Sequence, residues 1–323
     1  MTRAWLSAIF GVHSLLFTLG APAADYPTRP VRILIPFPAG GASDFVARLY
    51  GDKLTIALGQ QIVIDNRPGA AGVIAAGIVA KANPDGYTLL QAFVSHTLIS
   101  SIYRDLPFDM QKDFTAVGLA ASSANVVVVS PSLPLKSIKE LIDYAKARPG
   151  QVNYGSSGLG SSSHLSAEML STMSGIKMVH VPYKGAPQAI LEVVAGAVQV
   201  YVSSIPASFQ LIQSGRIKAI AVTSLKRVPA LPDVPTVAET LPGYETLAWD
   251  GLLAPRGTPQ AAITLISAEL ERALKMPDVV KALNNVGANP DFKGPREFEA
   301  YIKTETARWS RAAKDAGIEP GTL

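Results

Sequence analysis

Short apolar runs alternate with longer amphipathic stretches between residues 31 and 92. Val31–Pro36, Ile62–Asn66 and Tyr87–Ala92 read as strands, and Ser43–Leu58 and Val73–Ala82 repeat with a helical period. Strand, helix, strand, helix, strand predicts a parallel sheet with helices on its faces. Breakers fall between the elements: Arg67-Pro68-Gly69 follows the second strand, and Asn83-Pro84-Asp85-Gly86 turns into the third.

The alternation then restarts. Val126–Val129 is a β-branched run, and Ser137-Ile138-Lys139-Glu140 is a capping-box sequence opening a helix that stops by Pro149-Gly150. Strands are expected at Val152–Tyr154, Lys177–Val181, Val198–Val202 and Ile217–Val222. Helices are expected from about Ser162 to Met173, Pro187 to Ala195 and Pro206 to Ser214. Leu231–Thr236 is too rich in proline for a helix, Tyr244–Leu253 reads as extended, and from Thr258-Pro259 the chain is expected to be mostly helical to Gly317. This is an α/β chain with two lobes, crossed near Ser122–Val126 and near Tyr244–Asp250. Residues 24–124 and 248–323 would form one lobe and 125–247 the other, with a cleft between them that closes on a small ligand.

The N-terminus changes the picture of where this happens. Met-Thr-Arg, an apolar run from Ala4 to Leu19 and Ala21-Pro22-Ala23 describe a secretory signal peptide, with cleavage expected between Ala23 and Ala24. About 300 residues follow, enough for about two domains. Lys and Arg total 29 against 25 Asp and Glu, a mild and dispersed excess that gives no footprint for nucleic acid. The absence of cysteine excludes disulfides, thiolate metal sites and cysteine nucleophiles.

Candidate chemistry gathers in strand-to-helix loops, where open parallel sheets bind ligands. In Pro36-Phe37-Pro38-Ala39-Gly40-Gly41, the glycines let backbone N–H groups face a ligand, and the helix start adds unpaired donors and a positive dipole end suited to a carboxylate. A plain turn capped by Ser43 or Asp44 is the alternative reading. The second loop, Gly155 to His164, is rich in hydroxyls. It lacks the Lys-Ser/Thr of a phosphate-binding loop after Gly160, the glycine of a nucleophile elbow after Ser157, and the third glycine of a dinucleotide fingerprint at Ser163. Ser95-His96, Val181–Ala186 and Ser203-Ser204 follow other strands. His96 or His164 could in principle join a serine and Asp44 or Asp250 in a hydrolytic triad, but no spacing requires it, and no metal-ligand spacing is present. The histidines therefore read as structural or pocket-lining, Lys184 as a solvated surface residue and Trp249 as a core or hinge residue.

Six ordered segments resemble one family: "YPTRPVRILIPFPAGGASD", "NRPGAAGVIAAGIVAKANPDGYTLL", "YGSSGLGSSSHLSAEML", "HVPYKGAPQAI", "AVTSLKRVPALPDVPTVAE" and "GYETLAWDGLLAPRGTP". These are similar to the periplasmic solute-binding proteins of tripartite tricarboxylate transporters, also called the Bug family. The resemblance implies a two-lobed fold like the type II periplasmic binding proteins, without cofactor or metal. It also implies a small carboxylate, amide or aromatic acid held by backbone groups and ordered water, and an integral membrane permease as partner of a monomer. Carried over residue by residue, the ligand would meet Phe37, Gly40, Gly41, Asp44, Ser95, His96, Ser157, Ser161, Ser162, His164, Tyr183, Gly185 and Ser203. The chain departs from the family at Ala195–Gln199, where members usually read Gly-Gly-x-Val-Asp, and at Ser203-Ser204, where an acidic or amide residue is common. Losing a carboxylate there disfavours an amino-acid ligand. A sensor's partner with the same ligand, and a hydrolase or isomerase on the same fold, are the alternative functions.

Overall fold

A computed structural model describes residues 26–315 apart from Gly160. The signal-like segment 1–23, its cleavage point and the helix end expected at Gly317 lie outside the described residues. The central strand of the first parallel set is β1 (Val31–Ile35), flanked by β2 (Ile62–Asn66) and β3 (Thr88–Phe93). Apart from Arg32, which is half-buried and paired with Asp65, its sequence is apolar without alternation because both faces are covered. Val31, Ile33 and Ile35 pack with Tyr50 and Leu54 of α1 (Ala42–Leu58) on one face. Leu34 packs on the other face with Ala75, Ala76 and Val79 of α2 (Val73–Ala80).

After α3 (Ser95–Ile102) comes β4 (Phe114–Val129), which changes partner along its length. A second parallel set follows: β5 (Val152–Ser156), β6 (Met178–Pro182) and β7 (Val200–Ser204), connected through α4 (Ile138–Lys146), α5 (Ser162–Ser174) and α6 (Ala186–Ala195). Then α7 (Ile205–Gln213), β8 (Lys218–Val222) and β9 (Leu247–Pro255) lead to α8 (Gln260–Leu274), α9 (Pro277–Asn285), β10 (Ala288–Lys293) and α10 (Pro295–Asp315). The strand order is β2-β1-β3-β9-β4-β7-β5-β6, with β8 and β10 also pairing β4. Thus β4 pairs with β9 from Phe114 to Ala124 and with β7 from Asn125 to Val129. Buried Trp249, Phe298 and Trp309 fix α10 across the sheet, each large side chain contributing about 1.5–3 kcal/mol by burial.

One expectation is corrected and two are refined. Within the mostly helical C-terminal block, Ala-Asn-Pro-Asp-Phe-Lys forms β10, whose register shifts between Pro290 and Lys293. Proline is tolerated at such an irregular edge because the ladder there needs no donor. Ser95-His96 is not a loop but the first turn of α3. The crossing expected near Ser122–Val126 lies inside one continuous strand, which starts twelve residues before the valine run. Its first half, rich in Ala, Gly and Ser, shows no apolar alternation. The capping box is half-formed: Ser137 Oγ accepts from Glu140 N–H at 3.2 Å, whereas Glu140 Oε2 reaches past the cap to Lys136 N–H at 2.7 Å.

Candidate ligand-binding site

The two parallel sets meet with their carboxyl ends together. Phe93, the last residue of β3, is opposite Asp250, which is in turn opposite Ala121 of β4; Ser204, the last residue of β7, is opposite Asn125. Four residues of strand, about 13 Å at the usual rise, therefore separate the two sets of loops. Ser122 and Ser123 are half-buried in this seam.

On one side of it, Pro36–Gly41 leads from β1 into α1. Gly40 sits at φ +82°, and no side chain at the N-cap position satisfies the first N–H groups of α1. Asp44 is committed to the loop itself. Its carboxylate accepts from Gly40 N–H, Arg48 Nε and Asn66 Nδ2, each at 2.9 Å. Burial alone would raise this carboxyl, but the bonds from Arg48, Gly40 and Asn66 outweigh burial and hold it below the usual range. Phe37 packs on Phe93 with ring centres 4.2 Å apart, and its carbonyl accepts from Asn66 Nδ2.

Beneath the loop lies a polar cluster that sequence reasoning missed. Ser43 Oγ donates to Asp250 Oδ1, and Gln91 Nε2 donates to the Ser43 carbonyl at 2.9 Å and to Asp250 Oδ1 at 3.1 Å, while Tyr50 donates to Gln91 Oε1. Burial lifts the Asp250 carboxyl to about 6, against the opposing bonds from Ser43 and Gln91. Gln91, a lone polar residue in the apolar run Thr-Leu-Leu-Gln-Ala-Phe, was the available signal. Ser95 and His96 are buried beside this loop. Ser95 Oγ donates to the Ala71 carbonyl at 2.8 Å, and His96 Nδ1 accepts from Phe93 N–H at 3.2 Å. The imidazole presses on Gly72, where a Cβ would come within 2.8 Å of Nε2, and burial takes its pKa down to about 4.

Across the seam, the Ser157 and Ser161 hydroxyls both contact that of Ser163, forming a short hydroxyl chain. Ser157 N–H donates to Ser163 Oγ at 2.9 Å, the Ser161 and Ser163 hydroxyls are 2.8 Å apart, and Ser161 caps α5 through His164 N–H. Ser162, half-buried, opens that helix. Tyr201, also missed, places its hydroxyl among Ser163, Ser157 and Ser203, and burial pushes it to about 12. Ser203 is turned inward, bonded to Ser208 Oγ and the Ser204 carbonyl. Tyr183 lies beside the serine loop, its N–H on the Ser156 carbonyl at 3.0 Å, and Gly185 at φ +140° starts α6 without a side-chain cap.

His164 stacks on His180 with ring centres 4.1 Å apart, and His180 stacks on Tyr154. Burial, reinforced for His164 by its neighbour His180, lowers the two to about 3 and about 4. Both rings are neutral near pH 7, so this side of the seam presents hydrogen-bonding groups without positive charge.

The groups do not assemble into a hydrolytic triad: Asp44 and Asp250 are bonded as described, and Ser156 Oγ, 2.6 Å from His180 Nε2, also lies 3.1 Å from the Gly158 carbonyl. Among the described residues no cluster could hold a metal ion, and no helix is long and apolar enough to cross a membrane. A cavity of about 370 Å³ opens elsewhere, between α5 and α10, and is lined by Met169, Met173, Ala307, Arg308 and Arg311. It contains none of the loop residues.

The model of the tripartite tricarboxylate transporter family receptor matches residues 46–318. The chain belongs to that receptor family. Its members are periplasmic substrate-binding proteins, not enzymes. BugT of Bordetella pertussis is 35% identical over 99% of both chains. The R. palustris protein Rpa4515, solved with adipate, superposes with a TM-score of 0.84 at 40% identity, covering 92% of this chain and all of that one. MatC from Rhodopseudomonas palustris, solved with malate, gives 0.80 at 32% identity, covering 89% and 99%.

Proposed function

We propose that this receptor captures a small organic carboxylate between the Pro36–Gly41 and Ser157–His164 loops and hands it to a membrane permease of the tripartite type. The observation that carries this reading is the meeting of an uncapped helix start and a hydroxyl-lined loop across about four residues of β4. The adipate and malate of the two structural neighbours agree with it. Residues 24–124 with 248–323, and residues 125–247, act as two lobes that close on the solute. Residues 1–23 direct export and are removed. The carboxylate is held by Gly41 and the first-turn N–H groups of α1 on one side and by Ser157, Ser161 and Ser162 on the other. Tyr183 and Gly185 border it, while Asp44, Ser95, His96 and Ser203 shape the loops from behind.

The test is a thermal-shift screen of the mature protein against mono-, di- and tricarboxylates, aromatic acids, amides and amino acids, with products followed by mass spectrometry. A bound ligand raises the melting temperature according to its concentration over Kd. Gly41→Val is the companion variant. At φ −79° valine is permitted, and its Cβ would meet only the Pro38 carbonyl at 3.5 Å, so the fold tolerates it while the approach to α1 closes. Unchanged affinity in that variant would remove the first loop from the site.

A further inference from the structure

Asn125 interrupts an otherwise apolar stretch, Ala124 to Val129, at the point where β4 changes partner. The residue is 1% exposed. Its backbone is fully engaged: the N–H donates to Thr223 Oγ1 at 2.8 Å and the carbonyl accepts from Thr223 N–H at 2.9 Å. The side-chain amide is not: among the described residues neither Oδ1 nor Nδ2 has a hydrogen-bond partner. Asparagine is a poor strand former, and a buried amide without partners destabilises the fold that contains it. A valine, like the four that follow, would serve the ladder better.

The position supplies the explanation. Asn125 is opposite Ser204, where β7 ends and its loop begins. The register is regular from Ala121 to Val127, so alternation puts the Asn125 side chain on the face shared by Ala121 and, through its pairing, Asp250. The amide therefore stands at the floor of the seam, between the Ser43–Gln91–Asp250 cluster and the serine loop. Resting on the carboxylate reading above, we propose that Asn125 is a specificity-determining contact of the solute. Its Nδ2 donates to a carboxylate oxygen and its Oδ1 accepts from a hydroxyl or amide on the neighbouring carbon. An unsubstituted alkane diacid satisfies only the first of these, so the site favours a hydroxy- or amide-bearing carboxylate.

Asn125→Leu, of similar volume, separates a ligand contact from a structural one. In the ligand-free protein the leucine variant should melt about 2 °C or more above wild type, because an unpaired amide has been replaced by an apolar group. A calorimetric titration then compares malate with succinate, and 3-hydroxyadipate with adipate. Wild type should prefer the hydroxylated member of a pair at least tenfold, and the variant should bind it at least tenfold more weakly with the preference gone. Asn125→Ala is the second variant should leucine not fit, with the same loss of preference expected. A fall in ligand-free melting temperature with unchanged affinity would make Asn125 structural and overturn the proposal. Equal binding of both members of each pair by wild type would also overturn it, while leaving the carboxylate reading standing. Wild type binding no acid in the wider screen would remove that reading and this inference together.

Discussion

Asp250 connects the site to pH in a way that can be measured without any ligand. Its carboxyl is raised from 3.8 to about 6 in the folded chain, burial outweighing the bonds from Ser43 and Gln91. A carboxyl raised on folding binds its proton more tightly in the native state, so stability falls as pH rises from about 4 to about 6 and is flat above. Two pH units correspond to about 3 kcal/mol. The residue is part-exposed at the seam, so screening by water reduces this to about 2 kcal/mol. Asp250→Asn keeps an oxygen to accept from Ser43 and Gln91 and removes the titration. Urea unfolding of both proteins at pH 4 and pH 7.5 gives the comparison. Other carboxylates contribute equally to both and cancel, so the variant should gain about 2 kcal/mol on wild type between the two pH values. A difference that stays constant across the range would show that Asp250 does not titrate there and that its cluster is wetter than its bonding implies.

Two further outcomes follow from the same geometry. A Cβ at Gly251 would lie 2.4 Å from Phe298 Cζ and 3.0 Å from the Gly118 carbonyl, so Gly251→Ala should cost about 2–4 kcal/mol in urea unfolding, partly restored by Phe298→Leu. Asp44→Asn removes the charge that Gly40, Arg48 and Asn66 bond, and should cost about 1–3 kcal/mol at pH 7 and speed amide exchange at Gly40. Because the Asp44 pKa is lowered, its stabilisation is present above pH 3.8 and is lost as pH falls through the lower folded value, so the two proteins should converge in acid.

The elements legible in the sequence are those whose signals are local. β1 and β3 read as strands because both their faces are buried, the edge strand β2 reads as one from its short Ile-Val-Ile run, and the Gly- and Pro-marked loops after β1 and β5 fell where parallel strands end. The first half of β4 was not legible, because its Ala, Gly and Ser residues are small for packing against α8 and α10, a reason that exists only in the assembled sheet. α3 is eight residues long and mixes serine with β-branched residues, and β10 contains Asn-Pro-Asp, so neither carries its period. The site divides in the same way. Glycine and serine marked the loops, but Ser43 meets Asp250 across 207 positions, and nothing near either residue announces the other. Asp44 resembled a ligand-facing acid and is instead bonded to its own loop, because Asn66, at the end of the next strand, completes its coordination.

The insertion of β9 between β3 and β4 has a consequence for how the molecule comes into being. Leu90 pairs with Leu253, so a chain emerging from its N-terminus shows the bare edge of β3 until nearly all of it has arrived, whereas Val126 to Val222 are contiguous and can close first. Pairings so distant in sequence form slowly. The same late strand brings Trp249 and Asp250 to the seam. The seam between the two loop sets is therefore closed by a strand that arrives late, and a chain still lacking β9 has both loops but not the Asp250 and Trp249 that lie between them.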